Sequence, residues 1–299
     1  MSGHHEAPPD LHAVAAASVR RYAAERREDA IGWDVVACAV DATRGWPEGS
    51  MISGFAIGSL AHGGFVEAVS DVDVALVLDE LSPAVADRMA RVQAAVRERI
   101  AAPAASRLSI FWSTWDDLAS GAARGRFPLA DRVDLALAGR PLFGPDRRGE
   151  VLLPAGDART AALVIEAATF AVEKLGAKER GAALRDPARL AAAGARDASK
   201  AVLFPARFLY TLDTGRVATN DASAEHYLAR GGAATALVAA AIRWRTSGLG
   251  DEAAAAALLA AELGPLYAEL SRDYDAVLRA AGRDDLAAAL ARFTAGLAR

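Results

Sequence analysis

The pattern of apolar and polar positions changes character once along this chain. Before residue 155 or so, short apolar runs of strand length alternate with helical periodicities; beyond it almost every segment repeats at helical spacing. Leu11, Val14, Ala15, Val19, Tyr22 and Ala23 mark one side of an amphipathic helix over 11–28, and 31–43 is a second apolar stretch whose type the pattern leaves open. Trp46-Pro47-Glu48-Gly49-Ser50 is a turn cluster. Strands follow at 51–57 and 71–78, separated by a Gly-Ser turn and a short helix around 60–67. Ser82-Pro83 opens a helix over 83–101 with Val85, Met89, Val92, Val96 and Ile100 on one face, and Pro103 breaks it. A third strand is expected at 108–112 and a short fourth at 133–138.

The stretch 139–157 is rich in Gly, Pro and Arg and reads as a linker. Helices are then expected at 158–180, 187–213, 220–230, 233–247, 251–281 with a break near Gly264-Pro265, and 284–298. The organisation this predicts is an N-terminal helical extension over 1–50, an α/β domain over 51–153 and an all-α helical-bundle domain over 157–299.

Composition narrows the classes. The chain has 299 residues, 53% hydrophobic and 24% charged, as in ordinary globular proteins, and its abundant alanine favours helix. A net charge of −4 argues against nucleic acid as the main partner, because phosphate backbones are held by basic patches. The single cysteine, Cys38, excludes an intrachain disulfide and any site built from several thiolates; set among Val35, Val36, Ala39 and Val40, it reads as an inert buried thiol. No run approaches the length of uncharged apolar residues that spans a bilayer, and residues 1–10 carry two histidines, two prolines and no apolar signal core. The expectation is a cytoplasmic protein with no membrane partner.

The chemistry concentrates between the first two strands. Gly58-Ser59 follows the first, and Ser70-Asp71-Val72-Asp73 leads into the second. Strand side chains alternate faces, so Asp71 and Asp73 project to the same side. Two adjacent carboxylates repel, and a divalent cation removes that repulsion. Oxygen ligands at this spacing suit Mg²⁺, which takes one or two carboxylates together with substrate phosphates. A hairpin with a polar connection that carries two aspartates is the bland alternative.

Gly58, Ser59, Ser70, Asp71 and Asp73 resemble the motif of the nucleotidyltransferase superfamily. The resemblance implies a small mixed sheet with helices, a Gly-Ser turn that holds a triphosphate, and two metal-binding, catalytic aspartates, Asp71 and Asp73. A second stretch, Ala206-Arg207-Phe208-Leu209-Tyr210-Thr211-Leu212-Asp213-Thr214-Gly215 and on to Ala222, is similar to the helical domain of streptomycin/spectinomycin-type aminoglycoside adenylyltransferases. It also reads as a helix with a Gly215 C-cap followed by a helix capped by Asn220. Together the two stretches imply adenylyl transfer from ATP, with Mg²⁺, to a hydroxyl of a small aminoglycoside-like molecule. Gly58, Ser59, Ser70 and Arg207 would contact the nucleotide.

Two positions depart from that pattern. The family's third carboxylate, a metal ligand or general base, follows the leucine of a later strand; here Leu108 is followed by Ser109, which cannot act as a base near neutral pH without its own activator. Asp116, Asp117 and Asp134 are the substitutes in range. Asn220 stands where the family carries a phosphate-contacting lysine, with Lys200 and Arg216 close by in sequence. Two other readings therefore stay open: a nucleotide-binding or regulatory protein that has lost transfer, and a nucleotidyltransferase that modifies a protein partner. His62 reads as an exposed loop histidine, Trp112 and Trp115 as either core or ligand-lining rings, Asp117 as a helix N-cap, and Arg124, Arg126, Arg147 and Arg148 as a loose basic set.

Overall fold

The computed structural model describes residues 10–47 and 50–297, so residues 1–9, Glu48-Gly49 of the turn cluster and residues 298–299, with the last position of the helix expected over 284–298, lie outside it. The chain packs as two compact units, one built from residues up to Phe127 together with Asp134–Leu152, the other from Pro128–Val133 and Leu153 onward.

In the first unit, α1 (Leu11–Glu25) opens with Asp10, whose carboxylate accepts from the His12 N–H at 2.9 Å. α2 (Ala30–Asp41) buries Trp33, Val35, Val36, Ala39 and Val40. Then come β1 (Met51–Ile57), a single turn of helix α3 (Gly58–His62), β2 (Val72–Leu78), α4 (Val85–Arg99), β3 (Leu108–Ser113), α5 (Trp115–Ser120), α6 (Leu129–Ala138), of which Asp134 onward belongs to this unit, and β4 (Arg140–Phe143). α4 buries Val85, Met89, Val92 and Val96, the stripe its spacing predicts. The strands form one sheet in the order β3-β2-β1-β4, with β2 parallel to β3 and the other pairs antiparallel. One core joins the sheet to both N-terminal helices: Val19, Tyr22, Trp33 and Val36 pack with Val72, Val74, Leu76, Ile110 and Leu142.

Two local expectations need correction. Residues 133–138 are not a strand but part of α6. Val133, Leu135 and Leu137 alternate at period 2, yet Leu137 is 65% exposed, so the alternation marks no buried face. The fourth strand is β4, inside the stretch read as linker. Pro141 lacks an N–H and sits where that costs least, on the edge of the sheet. Its carbonyl accepts from the Tyr22 hydroxyl at 3.0 Å.

The second unit is helical: α7 (Gly156–Phe170), α8 (Lys178–Leu184), α9 (Pro187–Ala192), α10 (Ala195–Thr214), α11 (Asn220–Ala229), α12 (Thr235–Ser247), α13 (Glu252–Ala280) and α14 (Asp284–Ala295). Gly194, at φ +94°, divides the expected helix over 187–213 into α9 and α10. α13 runs unbroken through Pro265, correcting the expected break. By length and composition α13 would also suit a membrane span, but its Leu259, Leu263, Leu266, Tyr267, Leu270, Tyr274 and Leu278 are buried in the core of this unit. The two tyrosines of α13, both fully buried, satisfy their hydroxyls on backbone carbonyls, Tyr267 on Ala201 at 3.0 Å and Tyr274 on Phe208 at 2.8 Å. Burial raises both phenols above their ordinary value, so they stay neutral donors.

Glu269 is a buried carboxylate on α13 that accepts from the Tyr227 hydroxyl at 2.6 Å and the Ala233 N–H at 3.0 Å. Arg230 neutralises it at 3.1 Å and also pairs with Asp213 and Asp273. Removing one partner of a buried ion pair leaves an uncompensated charge. Arg230→Met is therefore expected to destabilise the protein by about 2–3 kcal/mol, discounted for the partial exposure of Arg230. Thermal melts would check it, and an unchanged melting temperature would contradict it.

Candidate functional site

The antiparallel register places Ile57, the last residue of β1, opposite Asp73 on β2. The chain must then turn sharply without colliding with that carboxylate. Gly58 makes the turn at φ +67°, and a Cβ there would stand 2.4 Å from Asp73 Oδ2 and 3.2 Å from its Cγ. The close approach of backbone to carboxylate thus requires glycine on two counts, conformation and space. Ser59 follows, half-buried, with its carbonyl accepting from Gly64 N–H at 2.9 Å and from Gly63 N–H. Among the described residues its hydroxyl makes no hydrogen bond.

Asp71 stands immediately before β2 rather than inside it. Val72 between the two aspartates is fully buried in the core, while Asp71 and Asp73 are each only half-buried. In the parallel pairing Asp73 aligns with Ser109 of β3, so the serine stands beside the aspartate, where the spacing put it. Ser70 has a structural task. Its hydroxyl accepts from Val66 N–H at 2.9 Å, its N–H donates to the Val66 carbonyl at 2.8 Å, and its carbonyl accepts from Arg107 Nε at 2.8 Å. It thereby ties down the loop that delivers Asp71.

Asp134 is the residue whose place the sequence did not foretell. α6 carries it to the Gly58 turn, where one carboxylate oxygen accepts from Gly58 N–H at 2.6 Å and the other meets His62 Nε2 at 2.5 Å. His62 is thus engaged rather than a free loop side chain, and only 22% of its side chain is exposed. A carboxylate separated from the turn by 76 positions leaves no local signal of this contact.

The other expected groups go elsewhere. Asp117 is not a cap but the third residue of α5. The cap is Thr114, whose hydroxyl accepts from Asp117 N–H at 3.1 Å and bonds the Asp117 carboxylate at 2.9 Å. Asp117 also pairs with Arg124 at 2.7 Å, which raises the Arg124 guanidinium above its ordinary value through that hydrogen bond. Arg147 pairs with Glu150 at 2.6 Å and Arg148 with Asp146 at 2.7 Å, while Arg126 lies over Phe111, its Cζ 4.9 Å from the ring centroid. The loose basic set is therefore a series of local pairs. Asp116 is exposed, Trp112 half-buried, and Trp115 buried edge-on against Phe55 at 6.0 Å. In the second unit Lys200 and Arg207 lie two turns apart on α10, both half-buried, and Arg216 is exposed beyond the Gly215 cap. The cap of α11 is Thr219, whose hydroxyl accepts from Ala222 N–H at 3.1 Å, and not Asn220.

Among the described residues no three His, Cys, Asp or Glu side chains converge as a metal site. The donor set of Asp71 and Asp73 fits a cation that completes its shell from water and substrate phosphates, the habit of Mg²⁺, and does not fit one held wholly by protein.

No protein-family model matches the chain, and no curated protein matches it significantly in sequence. Among solved structures it is similar to the spectinomycin adenyltransferase AAD(9) from Enterococcus faecialis, determined with ATP and spectinomycin: TM-score 0.51, 11% identity, covering 78% of this chain and 98% of that one. At that identity the likeness speaks for the fold: the chain has a nucleotidyltransferase-like α/β unit followed by a helical unit, the architecture its motifs predicted.

Proposed function

We propose that this protein transfers an adenylyl group from ATP, with Mg²⁺, to a hydroxyl of a small aminoglycoside-like molecule. The observation that carries the reading is the Asp73 carboxylate seated against the +φ Gly58 with Asp71 two residues before it. The neighbour's use of ATP and spectinomycin supports the choice of donor and acceptor class. In this reading Asp71 and Asp73 hold the cation, and Gly58 and Ser59 contact the nucleotide. Ser70 acts by fixing the loop in front of Asp71. Bound Mg²⁺ would supply neutralisation of charge on the phosphate oxygens. The chain's residues orient the triphosphate so that the accepting hydroxyl attacks the α-phosphorus in line as pyrophosphate leaves.

Ser109 beside Asp73 favours a second reading, a protein that binds nucleotide without transferring it. Calorimetric titration with ATP, with and without Mg²⁺, followed by a pyrophosphate-release screen over aminoglycosides, separates the two. Mg²⁺-dependent binding with pyrophosphate release supports transfer. Binding without release supports the second reading, and release only with a purified protein acceptor would move the substrate class to proteins.

A further inference from the structure

We propose that His62, oriented by Asp134, is the general base that takes the proton from the accepting hydroxyl; the proposal rests on the nucleotidyl-transfer reading above. An ionised carboxylate only accepts hydrogen bonds, so the 2.5 Å contact assigns the proton of the neutral ring to Nε2 and leaves the lone pair on Nδ1. Among the described residues Nδ1 makes no hydrogen bond. The Asp134 side chain is 10% exposed and that of His62 22%, so a nearly buried carboxylate holds an imidazole that keeps some exposure to solvent. This is the construction by which a buried acid fixes the tautomer of a catalytic histidine and stabilises the imidazolium that forms.

The second carboxylate oxygen of Asp134 holds the Gly58 N–H, and Gly58 is the residue packed on Asp73. One side chain therefore ties the base to the turn that carries the aspartate pair. Histidine is the side chain that changes charge near neutral pH, and His62 is the one histidine of the chain's five on this loop. It fills the role that Ser109 cannot.

Among the described residues, charged groups against the loop include Asp134, Arg26, Arg140 and, beyond Gly58, Asp73. Arg26 Nη1 lies 2.7 Å from the position of a Cβ on Gly63, and Arg140 Nε donates to the Ala61 carbonyl at 2.9 Å. Both guanidiniums have acidic partners of their own, Glu28 and Asp29 for Arg26 and Glu25 for Arg140. Asp134 is the charge in direct contact with the ring.

In the step itself the substrate O–H bond breaks and its proton goes to Nδ1. The oxygen's electron pair forms the new bond to the α-phosphorus. The bond from that phosphorus to the oxygen bridging to the β-phosphorus breaks, and pyrophosphate leaves with the pair. The imidazolium then releases its proton to solvent.

The test compares wild type, His62→Ala, His62→Gln and Asp134→Asn, with Mg-ATP and the aminoglycoside panel as probes. Glutamine keeps a donor toward Asp134 and cannot act as a base, so it guards against a loop that fails to form. Both His62 variants should lose about 10²–10⁴-fold in kcat while keeping their calorimetric affinity for Mg-ATP. Added imidazole should restore part of the rate of His62→Ala. Asp134→Asn should lower kcat while keeping its affinity for Mg-ATP, because the ring has lost the carboxylate that fixes its tautomer. Ring-nitrogen NMR shifts should place the His62 proton on Nε2 in the wild type and show mixed tautomers in Asp134→Asn, without any turnover. Unchanged rates in the His62 variants, or a ring tautomer unmoved in Asp134→Asn, would overturn the proposal. A wild-type protein that binds Mg-ATP but releases no pyrophosphate with any acceptor would also overturn it, leaving nucleotide binding intact. Absence of Mg-ATP binding would instead overturn the nucleotidyl-transfer reading.

Discussion

Asp73→Asn is expected to weaken Mg²⁺-dependent ATP binding by about 10²-fold while leaving the protein folded. The substitution keeps the side chain's size and removes one of the two carboxylates available to the cation. It leaves β1 and β2 their pairing, since Asp73 takes part in the register through its backbone. It also relieves the repulsion between Asp71 and Asp73, so the melting temperature should hold or rise slightly. Calorimetry with Mg-ATP and a thermal melt check the two halves separately. Unchanged affinity in a folded variant would contradict the metal-ligand role.

The second large effect is expected at the turn. In Gly58→Ala the new Cβ must take a left-handed backbone conformation, which costs about 1–2 kcal/mol for a non-glycine residue. It would also meet Asp73 at 2.4 Å from Oδ2, 3.2 Å from Cγ and 3.3 Å from Cβ. An aspartate side chain is too short to swing its end away without moving its carboxylate. The variant should therefore melt several degrees lower and lose Mg-ATP binding about as completely as Asp73→Asn. A melt and a titration both equal to wild type would show that the turn and the carboxylate are not coupled.

The part of the site that is local in sequence was legible. Gly58, Ser59, Ser70, Asp71 and Asp73 lie within a short stretch between two apolar runs, and the turn with Asp73 opposite it follows from that order. Ser109 was legible too, because β3 is an apolar run whose register with β2 follows from the motif's order. The contribution of Asp134 was not. Its helix reads as a strand, since Val133, Leu135 and Leu137 alternate, and its target lies in another part of the chain. With Asp134 unplaced, His62 had no partner and read as a loop residue. β4 was hidden by Pro141, which argues against a strand unless the strand is known to be an edge. In the helical unit the large elements followed from periodicity, and the errors fell on breakers. Pro265 is carried inside α13 because tertiary packing outweighs one lost backbone hydrogen bond, whereas Gly194 breaks the helix over 187–213.

The central claim is cleavage between the α- and β-phosphorus of ATP. Phosphorus NMR of ATP, incubated with the protein, Mg²⁺ and the aminoglycoside panel, reads it directly. The account predicts that ATP is consumed with pyrophosphate appearing together with an adenylylated product, and that none of this occurs in Asp73→Asn. Formation of ADP and inorganic phosphate, or of phosphorylated acceptor with ADP, would contradict it.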